Sequence, residues 1–431
     1  MGLRQSRTKK LGWLPMNYSA RSGGFDKLKR ESCGACGHTD LTKILDLGLS
    51  PIADAYTKTA DELGALYPLQ LVACAGCRLV QLLEIIPQEI LFSTGYSFYT
   101  SASPPLSAYH EKYARDVWTR HSPSLIGGGI LVEVGCNDGD FSRHFVGRCE
   151  RVIGADPAPG PALVAQNRGV DVRLAPFTTE LARELHAEVG PANVVVANHV
   201  LAHVEDVAST LGGIAEILAP RGTAYIEVQY LPDLLLNNAF DLVYHEHRNF
   251  YTLTSLATAA RRWGLYVNEA QFTDRQGGSL RVSLSHHRGV SQRAEAIRAS
   301  EAWLNKPGAF DGLQERAERV RTRLLDLIAV SNTSYLAGYG APAKATTLLN
   351  FCGIGSETLR FVLDTTPAKQ GRFIPGAGVK IISPEEALEA HRVDTYLLLA
   401  WNYVSQILRS EFEFTSAGGR WIVPIPVPTL F

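Results

Sequence analysis

Hydrophobic and polar positions alternate along the chain in patterns that divide it into three parts. Between residues 31 and 82 the apolar residues form short strand-like runs separated by turns. From residue 130 to residue 228 the runs ILVEV, RVIGAD, ANVVVAN and TAYIEV alternate with helical stretches, which is typical of a parallel α/β sheet. A second alternating set carries the runs SYLAGYG, LRFVLD, TYLLLAW and RWIVPI. The pattern therefore predicts two α/β units behind a small unit of short strands.

A long amphipathic helix is predicted between the two α/β sets, from about Asp311 to Val330. Leu and Val recur there at helical spacing among Arg and Glu. We therefore predict an α/β protein with a small N-terminal domain, a central Rossmann-like domain and a C-terminal Rossmann-like α/β domain. The expected boundaries are 31–90, 91–305 and 306–431. Residues 1–30 are basic and turn-rich, and we expect them to form a flexible extension.

The charge balance of the chain narrows the choice of partners. The 431 residues include 42 Lys and Arg against 43 Asp and Glu, which gives a formal net charge of −1. This balance provides no general attraction for nucleic acid or for an anionic membrane. No apolar run is long enough to span a bilayer. We therefore expect a cytoplasmic enzyme that acts on a small molecule, without nucleic-acid or membrane partners, as a monomer or weak dimer.

Four of the seven cysteines form two C-x-x-C pairs, in ESCGACG and VACAGCR. Each tight turn presents two thiolates, and two such turns complete a tetrahedral shell for a structural Zn²⁺ ion. A redox site normally has one C-x-x-C at the head of a helix, so the double motif favours zinc. A zinc-ribbon module for nucleic acid is disfavoured by the neutral charge. The predicted metal ligands are Cys33, Cys36, Cys74 and Cys77.

The segment LVEVGCNDGDFSRHF has the pattern of a buried strand, a glycine-rich turn and the start of a helix. Its glycines differ in spacing from the G-x-G-x-x-G of dinucleotide sites. The next strand ends in Asp156, whose carboxylate is able to accept both hydroxyls of a ribose, while Glu133 suits a cationic ligand. These features favour S-adenosylmethionine over a pyrophosphate. The candidate cofactor-binding residues are Glu133, Gly135, Asn137, Gly139, Asp156, Phe177 and Asn198.

A histidine-rich cluster occurs in LVYHEHRNFYT, which lacks the H-E-x-x-H spacing of zinc proteases. Histidine is the natural base near neutral pH, and a carboxylate or phenol can orient it. Upstream, His199 and His203 in NHVLAHV would share one face if that segment were helical. We interpret the set as a polar cluster at the carboxyl side of the sheet.

The run SYLAGYGAPAKATTL satisfies the dinucleotide fingerprint at face value, with Gly338, Gly340 and Ala343 at the expected spacing. Asp364 closes the following strand, where an acid binds ribose in dinucleotide sites. An NAD(P)-dependent nucleotide-sugar oxidoreductase is therefore the alternative function. Lys344, just after the turn, instead suits pairing with phosphate oxygens.

The ordered motifs resemble those of a known family, the S-adenosylmethionine-dependent C-methyltransferases of nucleotide-linked 4-keto-deoxyhexoses in antibiotic pathways. The resemblance covers nearly the whole chain after residue 30. It includes both C-x-x-C pairs, SPIADAY, EVGCNDGDF, YHEH, RQGGSLRV, GYGAPAKATTLLNFCGI, LDTTPAKQGRFIPG and LAWNY. It implies a zinc-binding N-terminal domain, a central methyltransferase domain and a C-terminal domain that binds the substrate nucleotide. It also implies methyl transfer to C3 of a dTDP-4-keto-deoxyhexose after a base removes the proton next to the ketone.

The resemblance implies roles for individual residues as well. His247 matches the base, with Glu246 and Tyr244 arranged around it, and Tyr96 and His203 match residues near the sugar. The implied substrate-binding residues of the C-terminal domain are Tyr339, Lys344, Asp364, Lys369 and Arg372. Two positions depart from the usual pattern, because Gln276 replaces a His and Phe98 replaces a frequent Tyr. Both departures bear on the fit of the substrate.

Overall fold

The computed structural model describes residues 28–91, 98–273, 278–331, 333, 335–390 and 393–431. Residues 1–27 of the predicted extension 1–30, together with Tyr96 and Gln276, lie outside these ranges. Residues 28–30 pack against the protein instead of extending from it, since Lys29 forms a bridge with Glu84 and Arg30 is buried. Three β-sheets, of four, seven and six strands, account for the named strands of the described residues. They follow the three parts that the hydrophobic pattern predicts, with one exception in the first sheet.

The N-terminal sheet combines three early strands with a strand from far along the chain. Its members, in the order β1-β2-β3-β9, are β1 (Leu41–Pro51), β2 (Leu66–Cys74), β3 (Val80–Leu82) and β9 (Asn249–Phe250). All neighbours are antiparallel, and Gln81 in β3 pairs with Asn249 in β9. Because β9 follows the YHEH segment almost directly, this small sheet is attached to the histidine cluster. A short helix, α1 (Gln88–Leu91), follows β3.

The central sheet has the strand order β10-β11-β8-β7-β4-β5-β6. Its strands are β4 (Ile130–Val134), β5 (Arg151–Ala155), β6 (Asp171–Arg173), β7 (Ala192–Asn198), β8 (Leu218–Gln229), β10 (Tyr266–Thr273) and β11 (Ser279–Ser285). Strands β4 to β8 are parallel, whereas β10 and β11 are antiparallel. All five residues of β4 are buried, as expected of a parallel strand covered on both faces. The chain order reverses at β4, which is where open α/β sheets form their ligand crevice.

Seven helices accompany this sheet in the described part of the chain. They are α2 (Pro104–Leu125), α3 (Pro159–Asn167), α4 (Thr179–Val189), α5 (Val207–Ile217), α6 (Leu231–Leu236), α7 (Leu253–Arg261) and α8 (Gln292–Ser300). None of the helices in the described ranges combines the length and apolar character that a bilayer span requires.

One local prediction in this part is wrong, and the condition attached to a second interpretation is not met. The glycine-rich turn after β4 leads into a short 3₁₀ helix, Ser142–Phe145, rather than an α-helix. Asp140 in this turn accepts a hydrogen bond from the hydroxyl of Ser107 in α2 at 2.8 Å, which joins the turn to that helix. The segment after β7 is also not helical, because the His199 N–H donates to the carbonyl of Glu227 in β8 and its φ is +56°. His199 and His203 therefore share no helical face.

The C-terminal sheet has the strand order β14-β13-β12-β15-β16-β17. Its strands are β12 (Leu336–Tyr339), β13 (Val362–Leu363), β14 (Ile381–Ile382), β15 (Thr395–Leu398), β16 (Arg420–Val423) and β17 (Thr429–Leu430). Its helices are α9 (Leu313–Val330), α10 (Ala343–Cys352), α11 (Pro384–Ala390), α12 (Val404–Ser410) and α13 (Phe412–Ser416). Helix α9 confirms the predicted long helix within two residues at its start.

Shared apolar clusters join the three parts into one body. Leu71 of β2 belongs to the same buried cluster as Phe240 and Leu348 of α10. Cys74 at the end of β2 belongs to the cluster that contains Val132 of β4. Each fully buried aliphatic side chain contributes roughly 1.5–3 kcal/mol, so the contacts between parts hold the residues of the site in place.

Candidate active site

A cavity of about 830 Å³ lies at the carboxyl ends of β4, β5 and β7. The loops after these strands form one side, and the YHEH segment with residues of the N-terminal part forms the other. The predicted site residues that line it are Gly135, Asn137, Asp156, Phe177, Asn198, His203, Tyr244, Glu246 and His247. The tertiary structure thus unites the glycine-rich turn and the histidine cluster, which are about 100 residues apart in the sequence.

Asp156 holds the glycine-rich turn in shape. Its Oδ2 accepts the backbone N–H of Asn137 at 2.8 Å, and its Oδ1 accepts the N–H of Ala158 at 2.9 Å. Burial raises the pKa of Asp156, while these two hydrogen bonds oppose that rise. Asn137 has a φ of +48°, and its side chain bonds Thr100 and Phe98. Asp156 therefore connects β5 to the turn that would surround the cofactor.

Two predicted cofactor residues lie outside this cavity wall. Glu133 is 3% exposed and lies beside Ser142, on the other side of the turn, where burial raises its pKa to about 8. A cationic ligand in the cavity would not meet this carboxyl directly. Gly139 packs against α3, and a Cβ there would lie 3.0 Å from the Cβ of Ala165. Its φ of +72° and this close approach explain the glycine without a ligand.

Replacing Asp156 by Ala is expected to weaken S-adenosylmethionine binding by roughly tenfold to a hundredfold, because two hydrogen bonds to a carboxylate are lost together. Calorimetric titration with S-adenosylmethionine measures the change. Asp116→Ala, at an exposed position of α2, is the matched control. An unchanged affinity in the Asp156 variant would show that the turn does not depend on this carboxylate.

His247 and Tyr244 form a hydrogen-bonded pair in the cavity wall. The Tyr244 hydroxyl lies 2.6 Å from Nε2 of His247, and Nδ1 lies 3.0 Å from the carbonyl oxygen of Leu242. Because a carbonyl oxygen only accepts, Nδ1 carries the proton and Nε2 accepts from Tyr244. Burial, with a smaller contribution from His203, lowers the pKa of His247 well below its ordinary value. The ring is therefore neutral at pH 7, with its lone pair on Nε2.

The two upstream histidines point to different partners. Nδ1 of His203 lies 2.6 Å from the backbone carbonyl of Glu246, and burial lowers its pKa to about 4. The His203 and His247 rings are 5.1 Å apart between centroids. His199 instead places Nε2 3.2 Å from Oε1 of Glu227.

Glu227 is the centre of a buried polar network that the sequence reasoning missed. Its carboxylate also accepts from Tyr109, from Thr273 and from Arg281, which donates through Nε at 2.7 Å. These partners hold its pKa below the usual range despite burial. A signal was available in the sequence, because this Glu interrupts the otherwise apolar run TAYIEV.

The Glu246 carboxyl does not orient His247, which corrects the prediction. Its Oε1 accepts the backbone N–H of Asp54 at 3.1 Å, and no hydrogen bond joins it to the His247 ring among the described residues. Tyr244 and the carbonyl of Leu242 orient the imidazole instead. Asp54, which lies in the SPIADAY segment, was not predicted as a site residue.

Lys344 was predicted to pair with phosphate, but the structure encloses it. It is 5% exposed, and its Nζ lies 3.6 Å from the centre of the Trp401 ring. Burial lowers its pKa to about 7, opposed by the charge of Asp241. The first turn of α10 faces the segment around Asp241, so this lysine points into the protein. Arg372, by contrast, is exposed.

The other residues predicted to hold the substrate nucleotide are also engaged within the C-terminal part. Tyr339 donates to Glu411 at 2.7 Å. Asp364 accepts the N–H of Ala341 at 2.7 Å, and Lys369 donates to the carbonyl of the same residue at 2.8 Å. Asp364 and Lys369 therefore meet at the backbone of Ala341, whereas Lys344 is enclosed.

The four cysteines of the C-x-x-C pairs converge as predicted. Their Sγ atoms all lie within 4.8 Å of one another, and the Cys33–Cys77 and Cys36–Cys74 pairs are each separated by 3.5 Å. Zn–S bonds of about 2.3 Å in a tetrahedron separate the sulfurs by roughly 3.8 Å. The donor set and spacing fit a structural Zn²⁺ ion with no position left open for a substrate. None of the four cysteines is among the residues that line the cavity.

Known proteins match the chain along almost its whole length. Family models match residues 33–92 as a "Putative zinc binding domain", residues 106–270 as a methyltransferase domain and residues 274–426 as a C-methyltransferase C-terminal domain. The C-methyltransferase NovU of Streptomyces niveus is 36% identical over 407 residues, which cover 92% of this chain and 96% of that protein. The chain belongs to the S-adenosylmethionine-dependent C-methyltransferase family. This confirms the family that the sequence motifs resemble.

Two O-methyltransferases match only part of this chain. The ubiquinone biosynthesis O-methyltransferase of Azorhizobium caulinodans is 26% identical over 174 residues, covering 39% of this chain and 66% of its own. A related O-methyltransferase of Aeromonas salmonicida is 27% identical over 192 residues, covering 42% and 80%. The enzyme thus binds S-adenosylmethionine, and the family matches favour methyl transfer over the NAD(P)-dependent alternative.

Proposed function

We propose that this enzyme transfers a methyl group from S-adenosylmethionine to C3 of a dTDP-4-keto-deoxyhexose, in the biosynthesis of an antibiotic deoxysugar. The observation that carries the proposal is the neutral His247–Tyr244 pair in the wall of the cavity that Asp156 and Asn137 also line. A cavity of about 830 Å³ has room for the methyl donor and a sugar together.

The reaction would begin with removal of the C3 proton. A proton next to a carbonyl is weakly acidic, so catalysis needs a positioned base. Nε2 of His247 takes this proton, and the electron pair of the broken C–H bond moves into an enolate whose negative charge lies on the C4 oxygen. Before substrate binds, Tyr244 keeps Nε2 as an acceptor. The Leu242 carbonyl stabilises the imidazolium through the N–H on Nδ1.

S-Adenosylmethionine, when bound, supplies an electrophilic methyl group on a sulfonium. The donor would supply the methyl carbon of the new C–C bond, the electron pair of the S–CH₃ bond would stay on sulfur, and the C4 carbonyl would form again. The residues that would hold the donor are Gly135, Asn137, Asp156, Phe177 and Asn198.

Further assignments belong to the same proposal. The Cys₄ site holds a structural Zn²⁺ ion, and the boundaries 31–90, 91–305 and 306–431 delimit the domains. Tyr96 contributes to the sugar site. Lys369 and Arg372 remain the candidates for binding the nucleotide, whereas Lys344 is too enclosed for that role. Four cysteines held as thiolates suit a reducing cytoplasm.

Mass spectrometry tests the proposal after incubation with S-adenosylmethionine and a panel of nucleotide-linked 4-keto-deoxyhexoses. We expect a product heavier by one CH₂ unit, with the methyl carbon bonded to C3 by NMR. Reactions without S-adenosylmethionine and with 4-hydroxy analogues are the controls. An O-methyl product, or methylation of the 4-hydroxy analogues alone, would contradict the enolate mechanism.

A further inference from the structure

Two carboxyl groups from different parts of the chain meet beside the histidine cluster. Asp54, from the N-terminal part, donates its backbone N–H to Oε1 of Glu246 at 3.1 Å, and both residues line the cavity. Glu246 is 3% exposed. The N-terminal part thus contributes a titratable group to the wall that carries His247.

The hydrogen bonds around the Glu246 carboxyl favour its neutral form over its ionised form. Its Oε2 atom is buried and has no hydrogen-bond partner among the described residues. An ionised carboxylate only accepts, so ionisation would leave a charged oxygen buried without a donor. A neutral carboxyl would instead carry an O–H group, which a substrate oxygen in the cavity could accept.

The charges around the two carboxyls differ, and the difference favours a proton on Glu246 over one on Asp54. Burial raises the pKa of Asp54, while the positive charge of Lys369 and a hydrogen bond with Tyr56 oppose that rise. His203 and His247 line the same cavity, and burial lowers the pKa of both, so they provide no positive charge that would favour ionised Glu246. Adjacent carboxyls resist ionising together. Burial, and then the charge of Asp54, raise the pKa of Glu246 to about 8.

We propose that Glu246 works as a neutral carboxylic acid that donates its O–H to the C4 oxygen of the substrate as the enolate forms. Asp54 is the positioning residue that keeps the proton on Glu246. The C3 proton goes to Nε2 of His247, and Glu246 retains its own proton throughout. Its hydrogen bond strengthens while negative charge builds on the C4 oxygen and weakens when the carbonyl forms again. This inference rests on the proposed function, since it requires a ketone substrate.

Two substitutions of Glu246 separate the neutral donor from a carboxylate. Glu246→Gln keeps a neutral N–H donor, so kcat at pH 7 is expected to fall less than about tenfold, whereas Glu246→Ala should lower it about 10²–10³-fold. The thermal midpoint of each variant checks that the loss is not unfolding. If Glu246→Gln is as inactive as Glu246→Ala while folded, the carboxyl acts in its ionised form and the inference is wrong.

The pH profile of kcat tests the role of Asp54. The neutral form of Glu246 exists below its pKa, so the wild-type rate should fall as pH rises past about 8. Asp54→Asn removes the negative charge that raises this pKa, and the fall should begin at lower pH. Glu246→Gln should lack the fall altogether. Asp61→Asn, exposed on the same part of the chain, is the control and should follow the wild type.

Deuterium exchange at C3 keeps this inference separate from the proposed function. With a 4-keto-deoxyhexose nucleotide in D₂O and no methyl donor, the wild type should exchange the C3 proton. If the wild type exchanges the C3 proton but the pH profile of kcat for Asp54→Asn is identical to that of the wild type, the inference is wrong and the proposed function stands. No exchange with any 4-keto sugar, although methylation occurs elsewhere, would remove both.

Discussion

Methyl transfer by the His247→Asn variant is expected to be lower than that of the wild type by about 10³-fold or more. An Asn amide can form hydrogen bonds at this position but takes up no proton near neutral pH, and general bases contribute roughly 10²–10⁴-fold. Tyr244 would also lose the acceptor that lies 2.6 Å from its hydroxyl. S-Adenosylmethionine affinity should stay close to the wild-type value, because Asp156 and Asn137 bond to each other and not to this histidine.

Two measurements make this prediction specific. Turnover is followed by S-adenosylhomocysteine release, and donor affinity by calorimetric titration of the same preparation. His287→Asn is the matched control, since this histidine is exposed and lies outside the cavity. Turnover near the wild-type level in His247→Asn would exclude His247 as the base and make Tyr244 the next candidate for that role.

Cys74→Ser, or removal of the metal by a chelator, is expected to abolish methyl transfer and to lower the thermal midpoint. Structural zinc contributes on the order of 10 kcal/mol of apparent free energy that is coupled to folding. The loss should reach the active site because β3 pairs with β9, and the N–H of Leu82 donates to the carbonyl of Arg248 at 2.9 Å. Arg248 directly follows His247, so melting of the small sheet would release the histidine segment.

Zinc content gives this prediction a readout that does not depend on activity. A thiol-specific reagent should release one metal ion per chain from the wild type, and the thermal midpoint should fall in parallel. Cys149→Ser is the control, because this cysteine lies outside the cluster and is half-buried. The prediction is wrong if the Cys74 variant retains both its metal and its melting temperature.

Much of the architecture could be predicted from local patterns. Strand β4 is a continuous apolar run, helix α9 has a clear apolar stripe, and the C-x-x-C pairs have ligands at fixed spacing. Each of these features depends on residues close in sequence, where backbone geometry sets the distances. The non-helical conformation of His199 depends on a distant partner, the carbonyl of Glu227 in β8, so periodicity alone could not reveal it.

The candidate site was predictable in its parts but not in its assembly. The sequence motifs identified His247, Tyr244 and Asp156, and the structure brings all three to one cavity. The motifs did not show that Lys344 is enclosed by Trp401, because both residues look free in the linear sequence. Nor did they show that Asp54 reaches Glu246 across 192 positions.

The sequence by itself determined the family, the two α/β sets, the cluster of four cysteines and the histidine-rich motif that supplies the proposed base. These properties depend on composition, on spacing and on ordered motifs. Only the tertiary structure decided which polar groups meet, which are enclosed and which are left without a hydrogen-bond partner. The physical reason is that burial and charge proximity set the protonation of groups such as Glu246 and His247, and both arise when distant segments pack together.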